Sequence, residues 1–166
     1  MSVLEVVEKF VSINGEGTKA GQLAVFIRFK GCNLNCKYCD TKWANEADAT
    51  AQQMTKEDIL EYVLSIGVKN VTLTGGEPLL RDGIEDVIEC LADNNLNVEI
   101  ETNGSIPLDN IRKLHKDNVT FTMDYKLSCS GMEQAMRLEN FSVLNKNDTV
   151  KFVAGCHEDL VRTKQI

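Results

Sequence analysis

Five short apolar runs rich in β-branched residues alternate with longer segments of helical character. No other feature constrains the fold of this chain as tightly. The runs are Ala24–Phe29 (AVFIRF), Asn70–Thr74 (NVTLT), Asn97–Glu101 (NVEIE), Val119–Met123 (VTFTM) and Thr149–Val153 (TVKFV), and they predict strands. Between them, Thr55–Ile66 predicts a helix capped by Thr55, with Glu57 and Asp58 in its first turn and Ile59, Val63 and Ile66 on one face. Asp82–Asn94 repeats the pattern through Ile84, Val87, Ile88 and Leu91. Leu108–His115 and Met132–Leu138 are shorter helical candidates. Strands alternating with helices predict an α/β fold whose parallel sheet has right-handed helical crossovers and either curls toward a barrel or winds both ways. The 166 residues, without linker, repeat or low-complexity segment, predict one domain over residues 1–166.

In a barrel the chemistry sits at the carboxyl ends of the strands, and the unusual residues of this chain collect there. GCNLNCKYCDT (Gly31–Thr41) follows AVFIRF, TGGEP ends NVTLT, ETNG ends NVEIE, and DYK follows VTFTM. Folding alone does not require four successive strand ends to carry such residues.

Composition narrows the function. A net charge of −7 disfavours a nucleic-acid partner. No apolar run approaches the roughly 20 residues of a membrane span. The opening MSVLEVVEKF lacks the basic region and apolar core of a signal peptide. The expected location is therefore the cytoplasm. There the six cysteines are expected to stay reduced. Cys90 and Cys156 lie in apolar surroundings and read as small buried hydrophobes.

Cys32, Cys36 and Cys39 need another explanation. Three thiolates suit soft metals. A structural zinc site wants a fourth Cys or His at recognisable spacing, and His115 and His157 belong to no paired motif. A redox dithiol would use only Cys36 and Cys39. An iron–sulfur cube uses all three thiols and leaves one iron open.

The spacing CxxxCxxC resembles that of the radical S-adenosylmethionine (SAM) superfamily, supported by TGGEP behind a strand. The resemblance implies a partial TIM-like barrel of about five or six parallel strands. It also implies a 4Fe–4S cluster on Cys32, Cys36 and Cys39 whose open iron chelates S-adenosylmethionine. Its SAM-binding positions would be Tyr38, Gly76, Glu77, Glu101, Asn103, Asp124, Tyr125 and Lys126. Plainer alternatives stand beside these: packing for Tyr38, a capped strand-end turn for Glu101 and Asn103, and a solvated surface charge for Lys126.

SINGEGTKAG (Ser12–Gly21), followed by FIRFKGCNLNCKYCDT, narrows the resemblance to the 7-carboxy-7-deazaguanine synthase family over about Phe10–Val153. Asn14 stands where that family has Gln, and Asp124–Lys126 stand where many members have Ser-Pro-Lys. This resemblance implies a ring-contracting lyase that converts 6-carboxy-5,6,7,8-tetrahydropterin to 7-carboxy-7-deazaguanine and ammonia, in queuosine or deazapurine biosynthesis. It implies Mg²⁺ on the Thr41 hydroxyl and substrate contacts from Ile13, Asn14, Gly15, Arg28 and Thr74. A flavodoxin-like electron donor and a homodimer follow by the same resemblance. The plain alternatives are a helix cap for Asp40-Thr41 and an ion pair with Glu16 for Arg28. Family members run longer at the C-terminus, so the resemblance implies either a truncated sequence or a pocket closed another way, such as by a second subunit, and in either case weaker turnover. Two rivals remain from sequence: a glycyl-radical enzyme activase of the anaerobic ribonucleotide reductase type, and a non-enzymatic metal-binding module.

Overall fold

The computed structural model describes residues 2–166. Its framework is one seven-stranded sheet in the order β3-β1-β2-β4-β5-β6-β7. The five expected strands are β2 (Leu23–Phe29), β4 (Asn70–Gly75), β5 (Asn97–Thr102), β6 (Val119–Tyr125) and β7 (Thr149–Phe152). They pair in parallel, each with the next. Sequence reasoning missed β1 (Leu4–Ile13) and β3 (Gln52–Met54), which extend the sheet antiparallel beyond β2. The β1–β2 connection is too short to hold a crossover helix, so the chain returns as a hairpin. Its base is tied by Asn14 N to Gln22 O at 2.8 Å and Gly21 N to Asn14 O at 2.8 Å.

Two of the four helical expectations hold closely. Helix α1 (Lys56–Ile66) begins in a capping box, with Asp58 N donating to Thr55 Oγ1 at 3.2 Å and Thr55 N donating to Asp58 Oδ2 at 2.8 Å. It ends at Gly67, whose φ of 76° takes the left-handed conformation that glycine adopts without strain. Ile59 and Val63 are buried as expected, whereas Ile66, at the last turn, is 39 % exposed. Helix α2 (Ile84–Asp93) buries Ile84, Val87, Ile88 and Leu91. Leu108–His115 shrinks to α3 (Asp109–Arg112), and Met132–Leu138 is no α-helix but two short 3₁₀ turns. A further helix, α4 (His157–Thr163), follows β7.

The core lies on one side of the sheet only. Val25, Ile27 and Phe29 of β2, Val71 and Leu73 of β4, Val98 and Ile100 of β5, and Val119, Phe121 and Met123 of β6 join α1 and α2 in one apolar cluster. The alternate positions face the other side and are mostly polar. A parallel sheet covered on both faces reads as continuous apolar strands. Here the period-two alternation of NVTLT, NVEIE and VTFTM marks a sheet whose inner, concave face is kept for polar groups.

Candidate active site

A cleft of about 380 Å³ opens over the carboxyl ends of the parallel strands. The thiol loop forms one wall, and Cys32, Cys36 and Cys39 all line the cleft. Their sulfurs are held individually. Cys32 Sγ accepts from Leu34 N at 3.4 Å and from Asn103 Nδ2 at 3.6 Å, and Cys39 Sγ lies 3.7 Å from Thr41 Oγ1. Lys37 N donates to Ser130 O at 3.0 Å, anchoring the loop to the segment after β6. Burial pushes the Cys32 and Cys36 thiols up, so a bound metal must supply the drive to deprotonate them. Three thiols suit an iron–sulfur group, and N–H···S bonds such as those on Cys32 tune such clusters.

The floor is a polar layer on the inner face of the strands. Arg28 pairs in register with Thr74, and Asp124 with Lys151. Thr74 Oγ1 donates to Glu101 Oε2 at 2.6 Å. Burial pushes the Glu101 carboxyl up, against the lowering pull of that hydrogen bond. Lys126 Nζ meets Asp124 Oδ2 at 2.8 Å. Burial pulls the Lys126 ammonium down, but Asp124 more than offsets it and the net shift is upward. Two cleft atoms have no partner: Asp124 Oδ1 and Asn45 Oδ1 are buried acceptors without a donor. Buried acceptors are rarely left unpaired in native proteins, and both residues belong to the lining of the cleft.

Of the expected site residues, Cys32, Cys36, Tyr38, Cys39, Thr41, Arg28, Thr74, Gly76, Glu101, Asn103, Asp124 and Lys126 line this cleft. Arg28 does not pair with Glu16. Its Nε donates to Glu8 Oε2 at 2.9 Å, across the β1–β2 pair that sequence reasoning missed. Thr41 precedes a 3₁₀ turn but makes no side-chain cap hydrogen bond, so the plain capping alternative fails.

Five expected positions do not line the cleft. Glu77 is fully buried, and three donors occupy its carboxylate: Leu79 N at 3.1 Å, Thr102 Oγ1 at 2.9 Å and Asn103 N at 2.7 Å. It clamps the end of β4 to the end of β5 and holds Asn103 against Cys32. Burial pushes the Glu77 carboxyl up to about 7, against the pull of those donors. Tyr125 is buried between Phe141 and Phe152, on the outer face of β6. Ile13 is 64 % exposed on the hairpin. Asn14 is buried, its amide donating to Glu99 Oε2 and its Oδ1 accepting from Glu16 N at 2.9 Å. Gly15 touches nothing that a side chain would meet. Within the SINGEG loop it is Glu16 that lines the cleft.

Glu16 and Lys151 were not foreseen as site residues. Lys151 Nζ bridges Glu16 Oε1 at 2.5 Å and Asp124 Oδ2 at 3.6 Å. The alternation in TVKFV, which places Lys151 on the polar face, was the signal that could have found it. Glycine at 76 is required by backbone packing: a Cβ there would collide with Gly31 O.

An open parallel sheet with three thiols at its carboxyl edge defines a radical SAM protein, and residues 26–125 match the Radical SAM superfamily. The chain is 59 % identical over 163 residues to the 7-carboxy-7-deazaguanine synthase of Clostridium acetobutylicum, covering 98 % of this chain and 73 % of that relative. It is 34 % identical to the synthase of Methanospirillum hungatei, covering 99 % and 67 %. The crystal structure of QueE from Escherichia coli superposes with a TM-score of 0.76 at 25 % identity, over 98 % of this chain and 76 % of that one. The chain belongs to the 7-carboxy-7-deazaguanine synthase family of radical SAM enzymes. That membership sets aside the activase and the non-enzymatic module.

Proposed function

We infer that the chain contracts the ring of 6-carboxy-5,6,7,8-tetrahydropterin to 7-carboxy-7-deazaguanine with loss of ammonia, in queuosine or deazapurine biosynthesis. The observation that carries this reading is the two-level cleft. Soft thiol donors form one wall, and a floor of alternating cations and carboxylates forms the other. The donor set fits the implied groups: three thiols for a 4Fe–4S cluster, and unpartnered Asp124 Oδ1 and Asn45 Oδ1 for the polar atoms of bound ligands. When bound, the cluster and S-adenosylmethionine would supply the one-electron chemistry for hydrogen abstraction from the pterin.

The chain's own residues bind and orient. Cys32, Cys36 and Cys39 hold the cluster, and Asn103 fixes the Cys32 sulfur. Lys126 and Asp124 face the SAM side of the cleft, with Tyr38 over it and Gly76 admitting a close backbone approach. Glu101, steadied by Thr74, presents an acceptor to a ribose or a pterin N–H. Glu8 takes only the Nε of Arg28, so its remaining guanidinium N–H groups are available to the substrate carboxylate. The Thr41 hydroxyl offers Mg²⁺ one hard oxygen, the rest coming from substrate and water.

A cytoplasmic location accords with the finding that no helix among the described residues is long and apolar enough to cross a membrane. A flavodoxin-like donor and a homodimer remain part of the same reading. The dimer is supported by exposed Val11, Ile13 and Leu23 side by side on the hairpin.

The test is anaerobic turnover with reconstituted iron and sulfide, dithionite, S-adenosylmethionine, Mg²⁺ and 6-carboxytetrahydropterin, read by mass spectrometry. 7-Carboxy-7-deazaguanine is expected. 5′-Deoxyadenosine without that product would keep the radical chemistry and refute the substrate.

A further inference from the structure

Three groups outside the cleft meet where the segment after β6 touches the start of α4. Cys129 lies in the 3₁₀ turn Ser128–Ser130, Cys156 immediately precedes α4, and Asp159 sits in its first turn. Their ligand atoms lie within 4.8 Å of one another. Neither cysteine behaves as an isolated buried hydrophobe: both are half-buried, and Cys129 Sγ lies 2.6 Å from Cys156 Sγ, closer than two non-bonded sulfurs pack.

A single carboxylate builds this arrangement. Asp159 is buried, and its Oδ1 accepts from Ser128 Oγ at 2.8 Å and Cys129 N at 3.2 Å. Its Oδ2 accepts from Gly155 N at 2.9 Å. The same side chain thus fixes the backbone of Cys129 and that of the residue before Cys156. Glycine at 155 lets the two segments close, because a Cβ there would lie 3.0 Å from Cys129 Cβ.

A borderline-soft metal ion is the other ligand such a trio could take. Three donors already engage Asp159, and it would have to act as a ligand on top of organising both backbones. That leaves two thiols, short of the four ligands of a structural site. Two thiols facing each other across a fixed gap are instead arranged for a bond between them.

We propose that Cys129 and Cys156 form an oxidisable dithiol whose intrachain disulfide joins the segment after β6 to α4. The oxidant is a low-molecular-weight disulfide of the glutathione class. One protein thiolate attacks it, forming a mixed disulfide and releasing one small thiol. The second protein thiol loses its proton, displaces the other small thiol and closes the bond. Two protein thiols are oxidised and one small disulfide is reduced to two thiols. The neighbouring Cys156 sulfur, burial and Asp159 push the Cys129 thiol up to about 12, so closure is slow until one of the pair is deprotonated. The bond would restrain one wall of the cleft. Ser130 O receives Lys37 N of the thiol loop, and Lys126 lies three residues before Cys129. Where thiols are normally kept reduced, such a bond forms only under oxidative load.

The experiment uses cluster-loaded protein under anaerobic conditions with oxidised glutathione. Remaining thiols are alkylated, and the protein is digested and mapped by mass spectrometry. A peptide linking Cys129 to Cys156 is expected, lighter by two hydrogens than its reduced parts and cleaved by dithiothreitol. Oxidation should also raise the thermal unfolding midpoint of the wild type, and Cys129→Ser and Cys156→Ser should each abolish both effects. Asp159→Asn should slow the linkage several-fold while leaving it possible. Full alkylation of both thiols, or a mixed glutathione adduct that never closes, would overturn the proposal. So would protection of both thiols by zinc alone, reversed by a chelator, without a linked peptide.

Discussion

The two ends of the concave face are built from the same residue types and do opposite work. Toward the amino end of the strands, the Asn14 amide donates to Thr72 and Glu99, Glu99 also accepts from mid-strand Thr122, and Asn97 Nδ2 donates to Asn70 Oδ1 at 2.9 Å. A recess of about 290 Å³ remains there, yet no buried side-chain atom lining it lacks a partner among the described residues. At the carboxyl end, Asp124 Oδ1 and Asn45 Oδ1 are left without donors. Both regions are cavities lined by carboxylates and amides, so cavity size does not distinguish them. What differs is whether the polar groups satisfy one another or wait for a ligand.

The largest expected effect belongs to the thiol wall. Replacing Cys32, Cys36 or Cys39 singly by Ala should abolish cluster-bound iron and 5′-deoxyadenosine formation, with an unchanged circular dichroism spectrum. Unfolding on substitution would mean that the thiols are structural after all.

The paired variants Glu101→Gln and Glu99→Gln test the comparison directly. Glu101 uses one oxygen toward protein, which Gln retains, so its stability should stay within about 1 kcal/mol of wild type while turnover falls roughly 10²-fold. Glu99 uses both oxygens, toward Asn14 and Thr122, and Gln offers only one acceptor. Its urea unfolding should show a loss of about 1–3 kcal/mol. If both variants lose stability alike, the two ends are not distinct.

Gly17→Ala should destabilise by about 1–3 kcal/mol through overpacking and backbone strain together. Its φ is +65°, and a Cβ there collides with Glu99 and Thr122. A stability within experimental error of wild type would show that these contacts yield.

The smallest effect is a pH slope. Glu77 holds its proton up to about 7 in the fold against an ordinary 4.5. Over that window the native state binds more protons than the unfolded state, so stability should fall as pH rises from 4.5 to about 7. Urea midpoints measured across the window check the sign. A rising midpoint would mean that Leu79, Thr102 and Asn103 keep the Glu77 carboxylate ionised.

The parallel strands and the thiol wall were legible because each carries a local signal: β-branched runs, and three cysteines within eight residues. Strand β1 was not, since LEVVEKFVSI mixes charges with apolar residues and only Leu4 and Val6 are fully buried. The resemblance of TGGEP to the glycine motif of radical SAM proteins makes Glu77 an expected SAM contact. Only the fold reveals that three donors converge on its carboxylate. Cys129 and Cys156 are 27 residues apart and meet through Asp159, a long-range encounter that spacing does not encode. Lys151 was within reach, had the alternation of TVKFV been read as an orientation as well as a strand.

The one-sided core gives every parallel strand a comb-like sensitivity to mutation. Val25, Ile27, Val71, Leu73, Val119, Phe121 and Met123 enter the apolar cluster at odd positions while Arg28, Thr72, Thr74, Thr122 and Asp124 line the polar side; along β5, Val98 and Ile100 are the core positions and Glu99 and Glu101 the polar ones. A saturation scan should therefore read as two interleaved messages. Alternate positions should fail by loss of soluble protein, and the teeth between them by loss of chemistry in a protein that still folds. Selection acting on catalysis and selection acting on stability would then fall on neighbouring residues with little overlap.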